Sequence, residues 1–588
     1  MSGKAKERRR KRRARAQAAT ARQRTPGQRQ ARDELLALAD HHPYLLSATD
    51  LHVGKGEFHA RVRIDTGAID RVETGLPIAN DHEDIELWFD GAYPNRPPTV
   101  LVTHDRFLGH PHVLVGRILC IYLDTDREWH PALGASGIVA RLVEWLEDAA
   151  ADRFDARTAL FHPIGGLPPS PRTAGTIVIR QPNPTPTRPH IGRATINLRS
   201  PHRADLVHWS HRTADDLPST TEALVLRTSE PMPYGLVGAD TLGDLLARVQ
   251  HANGPAANDA ITSALRLITR LGKQPLRIIV DVAHPTEPHL SFLASAQAAA
   301  TIPPAVARQP QLIDQLPELP IGWTNVSDER PEVAARRDAQ RPTSAFTGSS
   351  VELWGCGGLG SWMAEFIARA GASRITLRDT GAVSGGLLVR QNYLENDIGL
   401  SKADQLASRL RAVSDDIDIQ SAPANALDML TEGYTTDADL LIDATINVTV
   451  AARLDEWRRK ANSAPHIAQV ATDPRTATLG LLIVASPDLS VGPATIDDAT
   501  WMAIRDNPAT ERFHGFWTPP TKSDQLVPAL GCSTPTFHGS AADLACLAGS
   551  LVSLLAAHLN TTTSGAHLVE SSHARGPDGG GHHFIGYP

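Results

Sequence analysis

The sequence predicts a multidomain chain of mixed α/β and α+β type. An α+β core lies toward the N-terminus, an α/β middle domain follows, and an α/β domain occupies the C-terminal part. Three observations carry this reading. At 588 residues the chain is long enough for two to four domains, each with its own core. From Val351 to Asp379, a short apolar run, a glycine-rich turn, a stretch of helical periodicity and a second strand follow one another. From residue 51 to residue 150, alternating strand-like segments give way to a helix, IVARLVEWLEDAA. The expected boundaries are a basic, disordered tail at 1–32, then domains at 33–158, 159–329 and 330–560, and a flexible tail at 561–588.

The C-terminal domain is the most informative. Val351 to Trp354 reads as a buried strand that runs into Gly355-Cys356-Gly357-Gly358-Leu359-Gly360. Leu359, Trp362, Met363, Phe366, Ile367 and Ala370 recur at helical spacing, and the strand Arg374 to Leu377 leads to Asp379. This is a Rossmann-like β-turn-α-β unit, in which glycines let backbone approach a phosphate at a helix N-terminus and an acid can meet a ribose hydroxyl. The glycine pattern alone fits a dehydrogenase as well as a nucleotide transferase. Arg390-Gln391, and Asp397-Ile398-Gly399 leading into Lys402, separate the two. Hydride transfer leaves no phosphate for two further cations to stabilise.

With those residues included, the segment resembles the adenylating domain of ubiquitin-activating enzymes and their bacterial relatives of the ThiF and MoeB type. The resemblance implies ATP with Mg²⁺, held by Gly355, Gly357, Gly358, Gly360, Asp379, Arg390, Gln391 and Lys402, while a protein's C-terminal glycine attacks the α-phosphate. It also implies a homodimer. In the family an arginine just upstream reaches the phosphates, often across the dimer. Arg336 or Arg337 in RPEVAARRDAQRP is that candidate, with an exposed basic helix end as the alternative. Some positions depart from the family pattern. In DLLIDATIN, Ile446 stands where the family has the Asp that helps to hold Mg²⁺, and Asp443 is expected to substitute as the metal ligand. Leu387 replaces an Asn in SGGLLVRQ, and Gly381 replaces the usual second acidic residue after Asp379.

The composition, 41% hydrophobic and 21% charged, is that of soluble globular protein. No secretory h-region or membrane-length apolar run stands out, so a cytoplasmic protein with no membrane partner is expected. Four cysteines without a CxxC pair argue against a disulfide framework and against the structural zinc of some ThiF relatives. Residues 1–32 hold thirteen Lys and Arg against one Glu, a net +12; with −7 overall, the remainder carries −19. The tail reads as a solvated basic arm, with contact to nucleic acid or an acidic partner as the alternative.

Toward the N-terminus, Asp33 to Ala39 reads as a short helix, and residues 51–64 and 85–89 as strands. Tyr93-Pro94-Asn95-Arg96-Pro97-Pro98 is followed by His110-Pro111-His112, by Cys120 eight residues on, and by Trp129-His130-Pro131-Ala132. This order and spacing resemble the core of ubiquitin-conjugating enzymes, which read YPxxPP, HPN, a catalytic cysteine and WxPA. The resemblance implies that Cys120 carries a thioester, and that His112 occupies the place of the family's Asn. His112 either donates to the oxyanion or only holds the loop. The apolar neighbours Leu119, Ile121 and Leu123 favour instead a buried core cysteine.

Residues 159–329 give strands (TIVIR, ALVLR, LRIIVDV), helices (LGDLLARVQ, AITSALRLITRL) and Pro-rich loops, with no catalytic constellation. Beyond them, Cys532 precedes a long apolar helix, where a helix N-terminus would favour thiolate; it is the expected activating cysteine. Cys546 lies inside that helix and reads as packing, and the terminus GGGHHFIGYP as a flexible end.

Together the motifs resemble the fused activating-conjugating enzymes of bacterial antiphage operons, such as CBASS systems. The implied activity is a protein ligase. It adenylates the C-terminal glycine of a ubiquitin-like or other partner, such as a nucleotidyltransferase of a defence operon. The partner then passes through Cys532 and Cys120 to a protein or small-molecule amine. A sulfur-transfer adenylyltransferase and a non-catalytic scaffold are the alternatives.

Overall fold

The computed structural model describes residues 24–51, 57–107, 110–114, 117–154, 175–182, 190–210, 220–228, 239–254, 257, 259–263, 266, 275–283, 291–301, 318–330, 340–461, 463–473, 475–518, 526–527, 534–535, 539–574 and 581–588. Two compact units divide the chain, residues 1–336 and 337–588.

The first unit opens with helix α1 (Pro26–Ala39). Thr25 caps it: its hydroxyl accepts from the Gln28 amide at 3.3 Å, and the Gln28 side chain accepts from the Thr25 amide at 3.0 Å. Gln28 Nε2 also donates to the carbonyl of Phe89, which fastens the helix to the sheet. Just before it, Arg24 makes two hydrogen bonds to Asp50, at 2.8 and 2.6 Å, and lies over the Phe58 ring. Residues 24–32 of the expected tail are therefore part of the fold, and the helix starts seven residues before Asp33.

A six-stranded antiparallel sheet follows, β1 (Leu45–Leu51), β2 (Phe58–Asp65), β3 (His82–Phe89), β4 (Thr99–Val102), β5 (Val113–Leu114) and β6 (Ile118–Leu119), in the order β1-β2-β3-β4-β6-β5. Period two decides its faces. Phe58, Ala60, Val62 and Ile64 of β2 and Ile85, Leu87 and Phe89 of β3 are buried with Ala31 and Leu35 of α1. Helix α2 (Gly134–Ala150) adds Ile138, Leu142, Trp145 and Leu146 to the same core.

In the middle region, the expected α/β character takes the form of a closed barrel. Strands β7 (Thr176–Ile179), β8 (His190–Ser200), β9 (Arg203–His208), β10 (Thr220–Arg227), β11 (Pro275–Ala283), β12 (Ser291–Thr301) and β13 (Ile321–Asp328) close in the order β10-β11-β12-β13-β7-β9-β8. Ile177, Ile196, Leu206, Val225 and Ile279 form one apolar cluster. Helix α3 (Leu242–Asn253) covers a second, which includes Leu224, Ile278 and Val280.

The second unit is built on an eight-stranded sheet. Its strands are β14 (Ser350–Trp354), β15 (Arg374–Arg378), β16 (Asp418–Ser421), β17 (Leu440–Asp443), β18 (His466–Thr472), β19 (Leu479–Ala485), β22 (Gly565–Glu570) and β23 (His582–Gly586). A separate two-stranded pair, β20 (Leu526–Val527) and β21 (Thr534–Pro535), lies between β19 and β22 in sequence. The sheet order is β16-β15-β14-β17-β18-β19-β22-β23. The first five strands are parallel and the rest antiparallel. The chain runs outward from β14 through β15 to β16 and then returns to the other side of β14 at β17. The C-terminal ends of β14 and β17 thus mark a topological switch point, where open α/β sheets place their ligands. One layer of the core holds α4 (Gly358–Arg369), α5 (Lys402–Val413) and α9 (Ala541–His558). The other holds α7 (Val448–Lys460) and α8 (Pro493–Ile504). Helix α6 (Ala426–Glu432) packs beside α7 through partly buried Leu427 and Leu430.

Two expectations change here. The segment 561–588 is no flexible tail: β22 is buried along its whole length and β23 pairs with it. GAHLVE sits between two paired strands, and its His567 and Glu570 are buried with the apolar Ala566, Leu568 and Val569. Helix α9 is, among the described residues, long and apolar enough by length and composition to cross a membrane. In this structure its Leu544, Leu547, Leu551 and Leu555 fill the core against the sheet.

Three histidines tie these last elements together. His558 Nε2 lies 2.8 Å from the carbonyl of Thr563, which can only accept, so that nitrogen carries the proton. The neutral His558 Nδ1 must then accept from His567 Nε2 at 2.8 Å, and His567 Nδ1 from His582 Nε2 at 2.9 Å. Burial, with His558 and His582 adding to it, pushes the His567 imidazole down to about 3. A histidine whose folded pKa is depressed contributes stability above its unfolded value near 6.5 and loses it as pH falls from there toward 3. Between pH 6.5 and 5, thermal unfolding should show a loss of about 2 kcal/mol from this group. The loss should be absent in His567→Gln; an equally steep loss in the variant would exclude the assignment.

Candidate functional site

At the end of β14, Gly355 adopts φ +88, and a Cβ there would lie 2.8 Å from the Ala444 carbonyl. At Gly360 a Cβ would lie 1.9 Å from the Gly355 oxygen. Glycine is required at both positions, by the turn and by the close packing of α4 on the strand ends. Gly357 and Gly358 then open α4, with Gln391 Nε2 3.9 Å from the Cβ position of Gly357.

Asp379 clamps this turn, accepting from the amides of Cys356 at 2.8 Å and Gly381 at 2.6 Å. A Cβ on Gly381 would sit 2.9 Å from Asp379 Oδ1 and 3.4 Å from Lys402 Nζ. The replacement of the family's second acidic residue by Gly381 therefore leaves space that the Lys402 side chain uses. Tyr393 locks the same region, its hydroxyl 2.7 Å from the Cys356 carbonyl and 3.3 Å from that of Lys402. Burial, with Asp379 nearby, pushes the Cys356 thiol far up, so Cys356 is an inert packing residue.

The Arg390–Gln391 segment is held from behind. Trp362 Nε1 donates to the Arg390 carbonyl at 3.1 Å, and Asn392 Nδ2 donates to Glu365 at 2.6 Å. Burial opposes ionisation of Glu365. Hydrogen bonds from Arg409, Asn392 and Arg369 more than offset it and hold the carboxyl at about 2. Gln391 Oε1 is buried and has no hydrogen-bond partner among the described residues. The glycine turn, Asp379, Gln391, Tyr393 and Lys402 are thus gathered at the switch point.

Asp443, the expected metal ligand, lies at the same strand ends but turns its carboxylate inward. It ends β17 fully buried and accepts from the amide and hydroxyl of Thr445, at 2.9 and 2.6 Å, and from Gln469 Nε2 at 2.9 Å. Burial pushes its carboxyl up. Its oxygens face the fold and do not fit a Mg²⁺ ligand. Ile446, three residues on, has φ +56 and is 64% exposed. A β-branched residue in the left-handed region costs about 1 kcal/mol or more. Ile446→Gly should therefore raise stability by about 1 kcal/mol in chemical denaturation; a destabilised variant would show that Ile446 is held by contacts.

In the other unit, Cys120 follows β6. Leu119 and Ile121 are buried in the core on either side of it, Leu123 is exposed, and Cys120 itself is half-buried, so burial alternates along 119–121 and leaves the thiol outside the core cluster. The apolar neighbours that suggested a core cysteine point the other way. The thiol lies 3.2 Å from the Tyr122 carbonyl. His112 is buried with φ +60, packs edge-on against Phe154, and accepts the Cys120 amide at its carbonyl at 2.9 Å. Asn and His are both enriched in the left-handed region, which explains why His can stand in the family's Asn position. This geometry fits the loop-holding role. The motifs also meet: Trp129 Nε1 donates to the Pro94 carbonyl at 2.9 Å. Burial, then Glu128, push the Cys120 thiol up, and Arg141 pulls it down. In a chain whose other thiols are replaced by serine, alkylation of Cys120 should rise about tenfold per pH unit from 7 to 9, tracking the thiolate fraction. A plateau at pH 7 would mean an activated thiolate.

Cys532, Arg336 and Arg337 lie outside the described residues. Cys546, read as packing, is exposed on α9 and lines a cleft of about 620 Å³ with Ser550, Ser553, Glu570 and His582. Only a helical-wheel reading that set Leu544, Leu547 and Leu551 inward would have placed it there.

Residues 338–468 match the model described as the ThiF family, and residues 49–173 that described as Prokaryotic E2 family A. Among curated proteins, the chain is 31% identical over 132 residues to tRNA threonylcarbamoyladenosine dehydratase of Escherichia coli strain K12, covering 21% of this chain and 48% of that protein. It is 32% identical over 114 residues to the molybdopterin-synthase adenylyltransferase of the same strain, covering 19% and 45%. The chain thus spans about half the length of the curated relatives it matches. Among solved structures, E. coli MccB with ATP aligns at 14% identity over 42% of this chain and 65% of that one, with a TM-score of 0.29. E. coli TcdA aligns at 18% over 39% and 90%, with a TM-score of 0.26. At these TM-scores the structural likeness supports nothing further. The chain joins a ThiF-type segment and a prokaryotic E2-type segment in one polypeptide.

Proposed function

We propose that this chain is an ATP-dependent protein ligase that activates the C-terminal glycine of a ubiquitin-like or other partner and conjugates it to an amine. The observation that carries the reading is the pairing, in one polypeptide, of a glycine-turn cleft bearing Lys402 and Asp379 with a half-buried, outward-turned Cys120 set among YPNRPP and WHPA.

ATP is a substrate in this scheme. The α4 N-terminus with Gly355, Gly357, Gly358 and Gly360 would take its phosphates together with Arg390, Lys402 and Arg337, Asp379 would meet the ribose, and Gln391 would lend its unpaired oxygen. The partner's carboxylate attacks the α-phosphate and pyrophosphate leaves. The Cys532 thiolate attacks the acyl carbon and AMP leaves. Cys120 takes the acyl group by thiol exchange, and an amine then forms the amide and frees the thiol. Two cysteines in one chain make the exchange intramolecular, which raises its effective concentration. His112 supports the step by holding Cys120.

Homodimerisation, a cytoplasmic setting and a role in antiphage defence of the CBASS type belong to this proposal, as does contact of the basic N-terminal segment with nucleic acid. A second reading, a binding scaffold, is favoured by one observation, the inward orientation of Asp443. Pyrophosphate exchange into ATP, measured with a glycine-ended partner from the neighbouring genes, decides between them. Wild type should exchange, and Lys402→Ala should lose about 10²-fold or more. Exchange should persist in Cys120→Ala while conjugate disappears. Unchanged exchange in Lys402→Ala would overturn the phosphate role, and no exchange in wild type would favour the scaffold.

A further inference from the structure

The structure assigns Asp443 to positioning the turn after β17, and it leaves the cleft without a carboxylate from the β17 end for a divalent cation. The inference deepens the nucleotide reading above and rests on it for the cation claim alone. A Mg²⁺ ligand must offer a lone pair at about 2.0–2.1 Å to an ion that keeps several waters. Asp443 cannot do so from a fully buried position with one oxygen taking two donors from Thr445 and the other taking Gln469. The rest of the turn supplies no second carboxylate. Ala444 has no side-chain oxygen, the Thr445 hydroxyl is engaged with Asp443, Ile446 is aliphatic, and Asn447 Oδ1 caps α7 by accepting from Thr449 and Val450 at 2.9 and 3.3 Å.

The same contacts show what Asp443 does. Its bonds to the amide and hydroxyl two residues on form an Asx-turn that bends the chain immediately after Ala444. That bend sets the Ala444 carbonyl against Gly355 and carries Ile446 into its left-handed conformation. Gln469 on β18 braces the carboxylate from the neighbouring strand. Asp443 therefore shapes the wall of the glycine turn through Ala444. A divalent cation therefore comes to the cleft with the nucleotide's own phosphates and takes no ligand from the β17 turn, with Lys402 supplying protein charge.

The test uses the full chain and ATP itself, with affinity read by calorimetry in EDTA and in excess Mg²⁺. Wild type should bind with affinities within about threefold in the two conditions, a gap of less than 1 kcal/mol. Asp443→Asn should match wild type in both, because the amide oxygen still accepts from Thr445 and Gln469 can turn its own oxygen to the new N–H₂. Asp443→Ala should weaken binding by the same factor, about tenfold, with and without Mg²⁺, because the turn is lost rather than a ligand. Ile446→Asp should create a Mg²⁺ dependence, tightening ATP at least fivefold in Mg²⁺ over EDTA. A wild-type affinity at least tenfold tighter in Mg²⁺, with that gain lost in Asp443→Asn, would overturn the inference.

Hydrogen exchange at the Thr445 amide reads the positioning role without nucleotide. It should be protected in wild type and Asp443→Asn and exposed in Asp443→Ala; equal protection in all three would overturn that role. Absence of ATP binding by wild type in both conditions would sink the nucleotide reading and the cation claim with it, while the exchange result would still decide the role of Asp443.

Discussion

The second unit depends on a close approach of two turns. Strands β14 and β17 lie side by side in the sheet, and the chain leaving each must turn within a residue or two of the other. The Gly355 position comes within 2.8 Å of the Ala444 carbonyl, a distance no side chain tolerates. Everything around the cleft follows from that contact. Asp379 holds one turn by its amides, Asp443 holds the other, and Gly360 lets α4 pack directly above. The helix N-terminus is thereby presented at the switch point with its amides outward, the arrangement that suits a phosphate.

Buried carboxylates fix this geometry from several sides. Glu352, on β14 just below the turn, receives Trp354 Nε1, the Arg378 guanidinium, the Tyr434 hydroxyl and the Thr436 hydroxyl, and so ties β14 to β15 and to the chain entering β17. Glu365 links α4 and α5 to the Arg390–Asn392 segment through Arg369, Arg409 and Asn392. Asp443 ties β17 to β18. Each charge is matched by several donors, the condition under which a buried carboxylate holds structure instead of breaking it. Positioning polar groups thus surround the cleft, while Lys402 and the backbone amides face the place where phosphate charge would sit.

The glycine turn, its strands and the helix after it were legible in the sequence because a 3.6-residue period following an apolar run and a GxGxxG turn has few readings. Cys120 was legible through the spacing of its motifs; its outward orientation needed the alternation of Leu119, Cys120 and Ile121. Other features were hidden for physical reasons. The capping signal Thr25-Pro26 with Gln28 sits inside a run of arginines, and net charge there masked a helix start. β22 follows a Thr- and Ser-rich turn, whose composition reads as the start of a tail. The barrel strands β8, β9, β12 and β13 are rich in Ala and polar residues, so their period-two signal is weak. Spacing placed Asp443 at a strand end but carried no information about which way its carboxylate turns. That depends on Thr445 and on Gln469, which lies 26 residues away in sequence.

The central claim is that one polypeptide both activates a carboxylate and carries the product on Cys120. Intact-mass analysis of the Cys120→Ser variant, expressed with the neighbouring genes, tests it most directly, because a serine ester resists amines and thiols far better than a thioester does. The account predicts an added protein mass equal to the partner less one water, lost on mild base and absent when Lys402→Ala is combined with it. An unmodified Cys120→Ser chain, in cells where the wild-type chain forms conjugate, would contradict it.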